Sequence, residues 1–290
     1  MKTLLLIDSH ALIYRMYHGM APLTGPNGEP VGALYGIARL LLDMREKLKP
    51  DYVAACFDRP EPTFRKVKYE LYKATRQPAP PELIEQLQGA RGVFEAFKIP
   101  VVELAGFEAD DLIGTLAEKF KGLPDLQVVI TSGDRDLLQL VDDDKVVVDL
   151  IKTGTEGPIH FNQAKVVEEY GLLPSQMIEL KGFVGDTSDN IPGINGVGPK
   201  TATPLLKEFG TIENVFENLV IVSKKVAQKF EGHLDVALLS RELATIKRDV
   251  PISIKKLEEL KIPSVSKKEL IDYFAPLGFV SLIERVEKEI

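Results

Sequence analysis

The chain has 290 residues, one cysteine (Cys56) and a formal net charge of −7; 44% of its residues are apolar and 27% charged. That is long enough for a large core and ordinary for a globular protein, and the single cysteine excludes an internal disulfide framework. The opening MKTLLLID is too short for a secretory h-region, and nowhere do about 18 apolar residues run together. These features predict a cytoplasmic, monomeric protein with no membrane partner.

Residues 3–7 (TLLLI) read as a buried strand ended by Asp8. Ser9 to Tyr17 has a helical pattern that carries Arg15. Gly19–Gly32 is rich in Gly and Pro and predicts a loop. Ala33–Lys47 places Leu34, Ile37, Leu41 and Met44 at helical spacing, and Pro50 ends that element. Tyr52–Phe57 is a second buried strand, followed at once by Asp58.

Arg59–Pro81 is different in kind. Prolines bracket a basic segment interleaved with Phe64, Tyr69 and Tyr72, and its charge prevents much burial. We expect a helical excursion over the surface, ordered by a ligand. Glu82–Phe97 returns to an amphipathic helix. Ile99–Leu104, Asp125–Thr131 and Val146–Ile151 read as further strands, and from Asn162 onward the pattern is helical (Asn162–Tyr170, Pro174–Val184, then more helices).

Alternating strands and helices predict an α/β fold with a mostly parallel sheet flanked by helices. The expected division is an α/β part at 1–166, with a basic arch at about 59–81, and a helical region at 167–290. Acids stand just after four strands: Asp8, Asp58, the GFEADD stretch (Glu108, Asp110, Asp111) and Asp134 with Asp136. Active sites of open α/β sheets lie at the carboxyl ends of strands, so these groups should converge.

Singly, each acid could be a helix cap or strand-end solvation; at a helix N-terminus such a charge is worth about 0.3–1 kcal/mol. Their recurrence points instead to a shared site for hard divalent cations, which take oxygen ligands. Two such ions about 3.5–4 Å apart suit phosphodiester hydrolysis. Glu108 and Asp110 lie about 200° apart on a regular helix, so they converge only if Glu108 sits at or before the first turn. The four histidines show no metal spacing.

Net charge argues at first sight against nucleic acid, but its distribution matters more. Acids concentrate in these short motifs, and bases in Arg65–Arg76 (RKVKYELYKATR) and Ser223–Lys229 (SKKVAQK). Gly185–Ala202 (GDTSDNIPGINGVGPKTA) places Asp186 and Asp189 three apart, then sets Gly193, Gly196 and Gly198 ahead of a helix start and Lys200. Glycines let backbone approach phosphate, and helix-start N–H groups favour anions. A tight interhelical turn is the plain alternative. A helix–hairpin–helix gripping a duplex backbone without reading sequence fits the pattern better, and the carbonyls of such a hairpin can hold a monovalent cation such as K⁺.

Together these residues resemble the 5′-nuclease domain of bacterial DNA polymerase I, within the flap-endonuclease superfamily. The likeness runs nearly end to end. It covers LLLIDSHALIYRMYH, FDRPEPTFRKVKYELYKATRQPAPPEL, GFEADDLIGTLA, TSGDRDLLQLV, GDTSDNIPGINGVGPKTA and SRELATIKRDV, and the closing FAPLGFVSLIERV resembles the end of that domain. The resemblance implies two Mg²⁺ (or Mn²⁺) ions. Asp58, Glu108, Asp110 and Asp134 would surround one ion. Asp136, Asp186 and Asp189 would surround the other, with Asp134 near both. Asp8 would act largely through water, and Asp111 would complete the acidic patch.

By the same resemblance, Arg15, Tyr72, Lys73 and Arg76 engage the scissile phosphate and the 5′ end. Lys73 and Arg76, three apart, could share one helical face. Arg65 and Lys68 of the arch, with Gly196, Gly198 and Lys200 of the hairpin, are expected DNA contacts. Two positions depart from the family: Ser9-His10 replaces the usual Gly-Ser, which should alter the surroundings of Asp8, and Pro204 should kink or delay its helix. The implied activity is that of a structure-specific 5′→3′ exonuclease and flap endonuclease of replication and repair. Its implied substrates are DNA with a 5′ flap, nick or junction, including RNA-containing 5′ ends. A ribonuclease of the related acid-cluster type and a non-catalytic DNA-binding module are the rivals.

Overall fold

The first strand, β1 (Lys2–Asp8), is apolar on both faces because both faces are covered: Leu4 and Leu6 enter one buried cluster, Leu5 and Ile7 another. That is the signature of a parallel sheet sandwiched between helices. The computed structural model describes residues 1–152, 157–262 and 264–289. The other strands are β2 (Tyr52–Cys56), β3 (Val101–Val102), β4 (Leu126–Ser132), β5 (Val146–Leu150) and β6 (Ile159–Phe161). They form one sheet in the order β3-β2-β1-β4-β5-β6, parallel except for the antiparallel edge strand β6.

The chain winds one way from β1 to β2 and β3, and the other way from β1 to β4 and β5. The carboxyl ends of β1 and β4 therefore flank the switch point, where ligand crevices of such sheets open. The third strand is shorter than the expected Ile99–Leu104. Pro100 has no N–H to donate, and the ladder holds only at Ala55↔Val101 and Cys56↔Val102. β6 was not expected, since three residues carry too little alternation to read.

One face of the sheet carries α1 (Ser9–Gly19), α2 (Gly32–Lys47) and α4 (Pro81–Ala96), joined late in the chain by α12 (Lys267–Phe274) and α13 (Val280–Glu289). Between α2 and α4, among the described residues, the one helix is the short α3 (Phe64–Lys68). The other face carries α5 (Ala109–Phe120), the 3₁₀ turn Arg135–Leu140 and residues from Ile246 to Leu260. After α6 (Gln163–Tyr170) the helices α7 (Met177–Val184), α8 (Pro199–Phe209), α9 (Ile212–Glu217), α10 (Lys224–Phe230) and α11 (Leu234–Ala244) enclose a core of their own around Phe183, Leu206 and Phe230. Among the described residues, no helix is long and apolar enough to cross a membrane.

Of the two effects expected of Pro204, a delayed helix does not occur. α8 starts at Pro199 and runs through Pro204 without delay. The missing N–H deprives the carbonyl of Lys200, an exposed residue in the first turn that water can serve. Ahead of α8, Gly185 and Gly193 both have positive φ, and a Cβ on Gly193 would fall 2.3 Å from the Gly185 nitrogen. Only glycine lets the loop fold back this closely on the end of α7, carrying Asp186 and Asp189 with it.

Gly114 is the point where the segment following α11 crosses α5. A Cβ there would meet Ile246 Cγ2 at 2.6 Å and the Lys247 carbonyl at 2.7 Å. In an open helix Gly→Ala gains about 1 kcal/mol. Here Gly114→Ala is expected to lose about 1–3 kcal/mol through overpacking, read as a lower urea midpoint with an unchanged m-value.

Candidate active site

Acids from four points of the chain stand at the carboxyl edge because strands and helix starts deliver them there. Asp8 closes β1 and caps α1, accepting from Ala11 N at 3.1 Å. Ser132, at the end of β4, donates its hydroxyl to Asp8 and accepts from Asp134 N at 2.8 Å, tying the two central acids together. Asp58 follows β2 and accepts from Ala109 N at 2.6 Å, at the start of α5. Glu108 is the N-cap of α5, so Asp110 lies in the first turn, as convergence requires. Asp134 caps the 3₁₀ turn through Asp136 N at 2.8 Å.

The electrostatic result is crowding. Burial pushes Asp8 up to about 7 against its Ser132 and Ala11 hydrogen bonds, with Asp58 and Asp134 adding to the rise. Asp110 is raised well above the usual carboxylate range by burial and then by Asp8, Asp134, Glu108 and Asp58. Asp136 is pushed up to about 6 by burial and Asp134, with Lys181 opposing.

The chain's own cations meet the remaining acids. Lys181 of α7 donates to Asp136 at 2.7 Å and to Asp186. Burial disfavours the Asp186 charge, but hydrogen bonds from Lys181 and Ser188 outweigh it and hold that carboxyl below its usual range. Lys73 Nζ donates to Glu108 Oε1 at 2.9 Å, and Arg76 pairs with Asp189. Tyr72, buried with Ile191, Leu243 and Ala244, places its hydroxyl 3.1 Å from both Glu108 and Asp189.

The arch thus docks on the loop after α7, helped by Lys73 N to Asp189 O at 2.8 Å and Asn190 Nδ2 to Leu71 O at 2.7 Å. It does so without the expected helical face. Only Phe64–Lys68 is helical, residues 70–75 are turns, and Lys73 has φ 54°. Left-handed backbone at Lys73 itself, within this run of turns, aims Lys73 and Arg76 by turn geometry rather than by helical spacing.

Two expected roles are overturned by burial. Asp111 is fully enclosed, and both its oxygens are spoken for: Arg65 donates at 2.7 and 2.8 Å, Lys247 N at 2.8 Å and Glu108 N at 3.1 Å. No lone pair remains for a metal. Arg65 is 2% exposed, and it also donates to the Leu243 and Thr245 carbonyls at 2.9 Å. It pins the base of the arch to α5 and to the segment after α11, and cannot reach DNA.

Lys68 is exposed beside Glu242. Arg15 Nη2 donates to the Gly133 carbonyl at 2.8 Å, beside Asp134. Gly196 and Lys200 are exposed, and Gly198 caps α8. The Gly196 carbonyl accepts from Lys229 Nζ at 2.8 Å. His10 contacts Asp58 rather than Asp8: its Nδ1 accepts from Asp58 N at 3.2 Å, and burial lowers its pKa. Sequence reasoning missed Lys181 and Ser132. A lone lysine within the apolar run MIELKGFV, five residues before Asp186, was the available signal for the first.

Among the described residues, no three acids, histidines or cysteines converge as a finished coordination shell. The donors nevertheless suit a hard divalent cation. They are all oxygen, they raise one another's pKa, and Mg²⁺ needs only one or two carboxylates while keeping several waters.

A family model described as 5′-3′ exonuclease, N-terminal resolvase-like domain, matches residues 3–171, and one described as 5′-3′ exonuclease, C-terminal SAM fold, matches 172–268. The chain is 35% identical over 290 residues to a 5′-3′ exonuclease of Aquifex aeolicus, covering 99% of this chain and 96% of that one. It is 40% identical over 289 residues to DNA polymerase I of Bacillus subtilis, covering 99% of this chain and 32% of the relative. With DNA polymerase I of Caldicellulosiruptor bescii it shares 39% over 285 residues, 98% of this chain and 33% of the relative, so the chain spans about a third of these polymerases. Among solved structures, T5 5′-exonuclease with bound zinc aligns with a TM-score of 0.69 at 22% identity, covering 84% of this chain and 89% of that one. The catalytic core of Rad2 in complex with DNA substrate aligns at 0.62 and 15%, covering 98% and 92%. At these identities the two structures share the fold.

Arg65→Met leaves the Asp111 carboxylate buried without its partner, which costs about 3–5 kcal/mol. Lys68→Ala, on the exposed arch, is expected to stay within about 0.5 kcal/mol of the parent. Urea unfolding distinguishes them. An Arg65→Met protein of parental stability but weakened DNA binding would restore the discarded DNA-contact role.

Proposed function

The chain belongs to the 5′-3′ exonuclease family, and from that premise we propose that it hydrolyses DNA from 5′ ends and cuts 5′ flaps with the help of two divalent ions. The observation that carries this is the convergence of Asp8, Asp58, Asp110 and Asp134 at the switch point, with Lys73, Arg76 and Tyr72 leaning over the same edge. Glu108, Asp58, Asp110 and Asp134 would hold one Mg²⁺ or Mn²⁺, and Asp136, Asp186 and Asp189 the other. When bound, such ions supply a hydroxide-like nucleophile at neutral pH and stabilise charge on the phosphoryl oxygens.

The protein's own groups do the rest. Asp8, locked by Ser132, orients the centre without needing to be a direct ligand. Lys73 and Arg76 exchange their carboxylate partners for the scissile phosphate, the fork of Arg76 giving two-point contact. Tyr72 keeps Glu108 and Asp189 in register from a buried position. Arg15, aimed by the Gly133 carbonyl, adds charge beside Asp134. Lys200 and the backbone at Gly196 and Gly198 would grip the duplex backbone without reading bases. At Gly196 the Lys229 ammonium meets the hairpin carbonyl, so we place no K⁺ there.

Substrates of this design are DNAs with a 5′ flap, nick or junction, including RNA-containing 5′ ends, and the role is removal of such ends in replication and repair. The division into a nuclease part and a duplex-gripping part belongs to the same proposal, with the break moved from 166/167 to the end of α6, which the earlier boundary would cut. A 5′-labelled flap duplex should be cut in Mg²⁺ or Mn²⁺, left intact in EDTA, and cut at least on the order of 10²-fold more slowly by Asp134→Ala. Metal-independent cleavage, full activity of that variant, or cleavage of RNA alone would overturn the proposal.

A further inference from the structure

The two halves of the acid cluster are neutralised differently. Among the described residues, no lysine or arginine forms an ion pair with Asp8, Asp110 or Asp134, whereas Lys181 bridges Asp136 and Asp186 with one ammonium. Asp136 comes from the turn after β4 and Asp186 from the loop after α7. The Lys181 side chain is 27% exposed, so it can swing outward to water without breaking the core. Its backbone is fixed in α7, where Gly185 N caps the Lys181 carbonyl at 2.8 Å.

Resting on the metal-nuclease reading above, we propose that the Lys181 ammonium is a built-in competitor of the second divalent ion, occupying its carboxylates until the ion displaces it. A cation between Asp136 and Asp186 and a divalent ion drawing on the same oxygens exclude each other electrostatically and sterically. Of the acids assigned to the other ion, only Glu108 meets a lysine or arginine, from Lys73 and Arg65, and among the described residues Asp58, Asp110 and Asp134 form no such pair. The two ions therefore bind in order: first at the unpaired acids, then at the acids that Lys181 must release. Because linkage is reciprocal, whatever stabilises the metal-free pairing weakens the second ion by the same factor.

The test uses the full chain without DNA and Mn²⁺ alone as probe, with bound ion followed by calorimetry and by loss of the free Mn²⁺ paramagnetic signal. Lys181→Met should bind the second Mn²⁺ about tenfold more tightly than the parent, about 1.4 kcal/mol, and leave the first unchanged. Lys181→Arg, which keeps the charge, should stay near the parent. Two unequal ions whose affinities do not respond to Lys181→Met would overturn the competition while leaving the metal-nuclease reading intact. No Mn²⁺ binding by the parent would overturn both. Independently of any variant, acetylation of Lys181 in the parent, read by mass spectrometry, should rise when Mg²⁺ is added, and an unchanged or lower yield counts against displacement.

Discussion

Carboxylates crowded at the carboxyl edge of a parallel sheet repel one another, and this repulsion shapes most of what surrounds them. Asp8 and Asp110 are driven toward protonation by burial and by their neighbours, a condition that a bound cation would relieve. Where crowding is less severe, the chain supplies its own positive charge through Lys73, Arg76 and Lys181. The arch is drawn down onto the edge by these same contacts. The position of the arch and the charge state of the site are thus one coupled problem.

A second, quieter constraint makes the first one possible. The Arg65–Asp111 pair is buried and fully hydrogen-bonded, and it links the base of the arch, the start of α5 and the segment after α11. An isolated charge at either position would be costly; together, and with every donor used, they fix three distant pieces of chain at one point. Glu108 is set by the same junction, since Asp111 accepts its N–H. A residue that looks catalytic by its place in an acidic run thus serves the site by not facing it.

Much of this was readable in the residues. Five apolar runs gave five parallel strands, and an acid follows each of four of them at the carboxyl edge. Glu108 and Asp110 could converge only with Glu108 at the cap, where it is. What escaped had a physical cause. Asp111 and Arg65 carry the same charges as their exposed neighbours, and sequence does not reveal which members of a charged run turn inward. The arch reads as helix by composition, but the left-handed Lys73 and Asn190 are set by tertiary contacts between segments more than 110 positions apart, as at Asn190 with Leu71, 119 apart. Lys181 sits in an apolar helix, and its partners become apparent only when α7 is laid against the turn after β4.

The acids of the carboxyl edge are held together against their own repulsion by cations. The most direct measurement of that hold is calorimetric melting of the metal-free protein as Mg²⁺ is added at constant ionic strength. Binding to the folded state alone should raise Tm along a saturating curve, with stabilisation of about 2.7 kcal/mol at one hundred times the dissociation constant, and the rise should vanish in Asp134→Ala. A Tm that responds to Mg²⁺ no more than to the matching monovalent salt would contradict it.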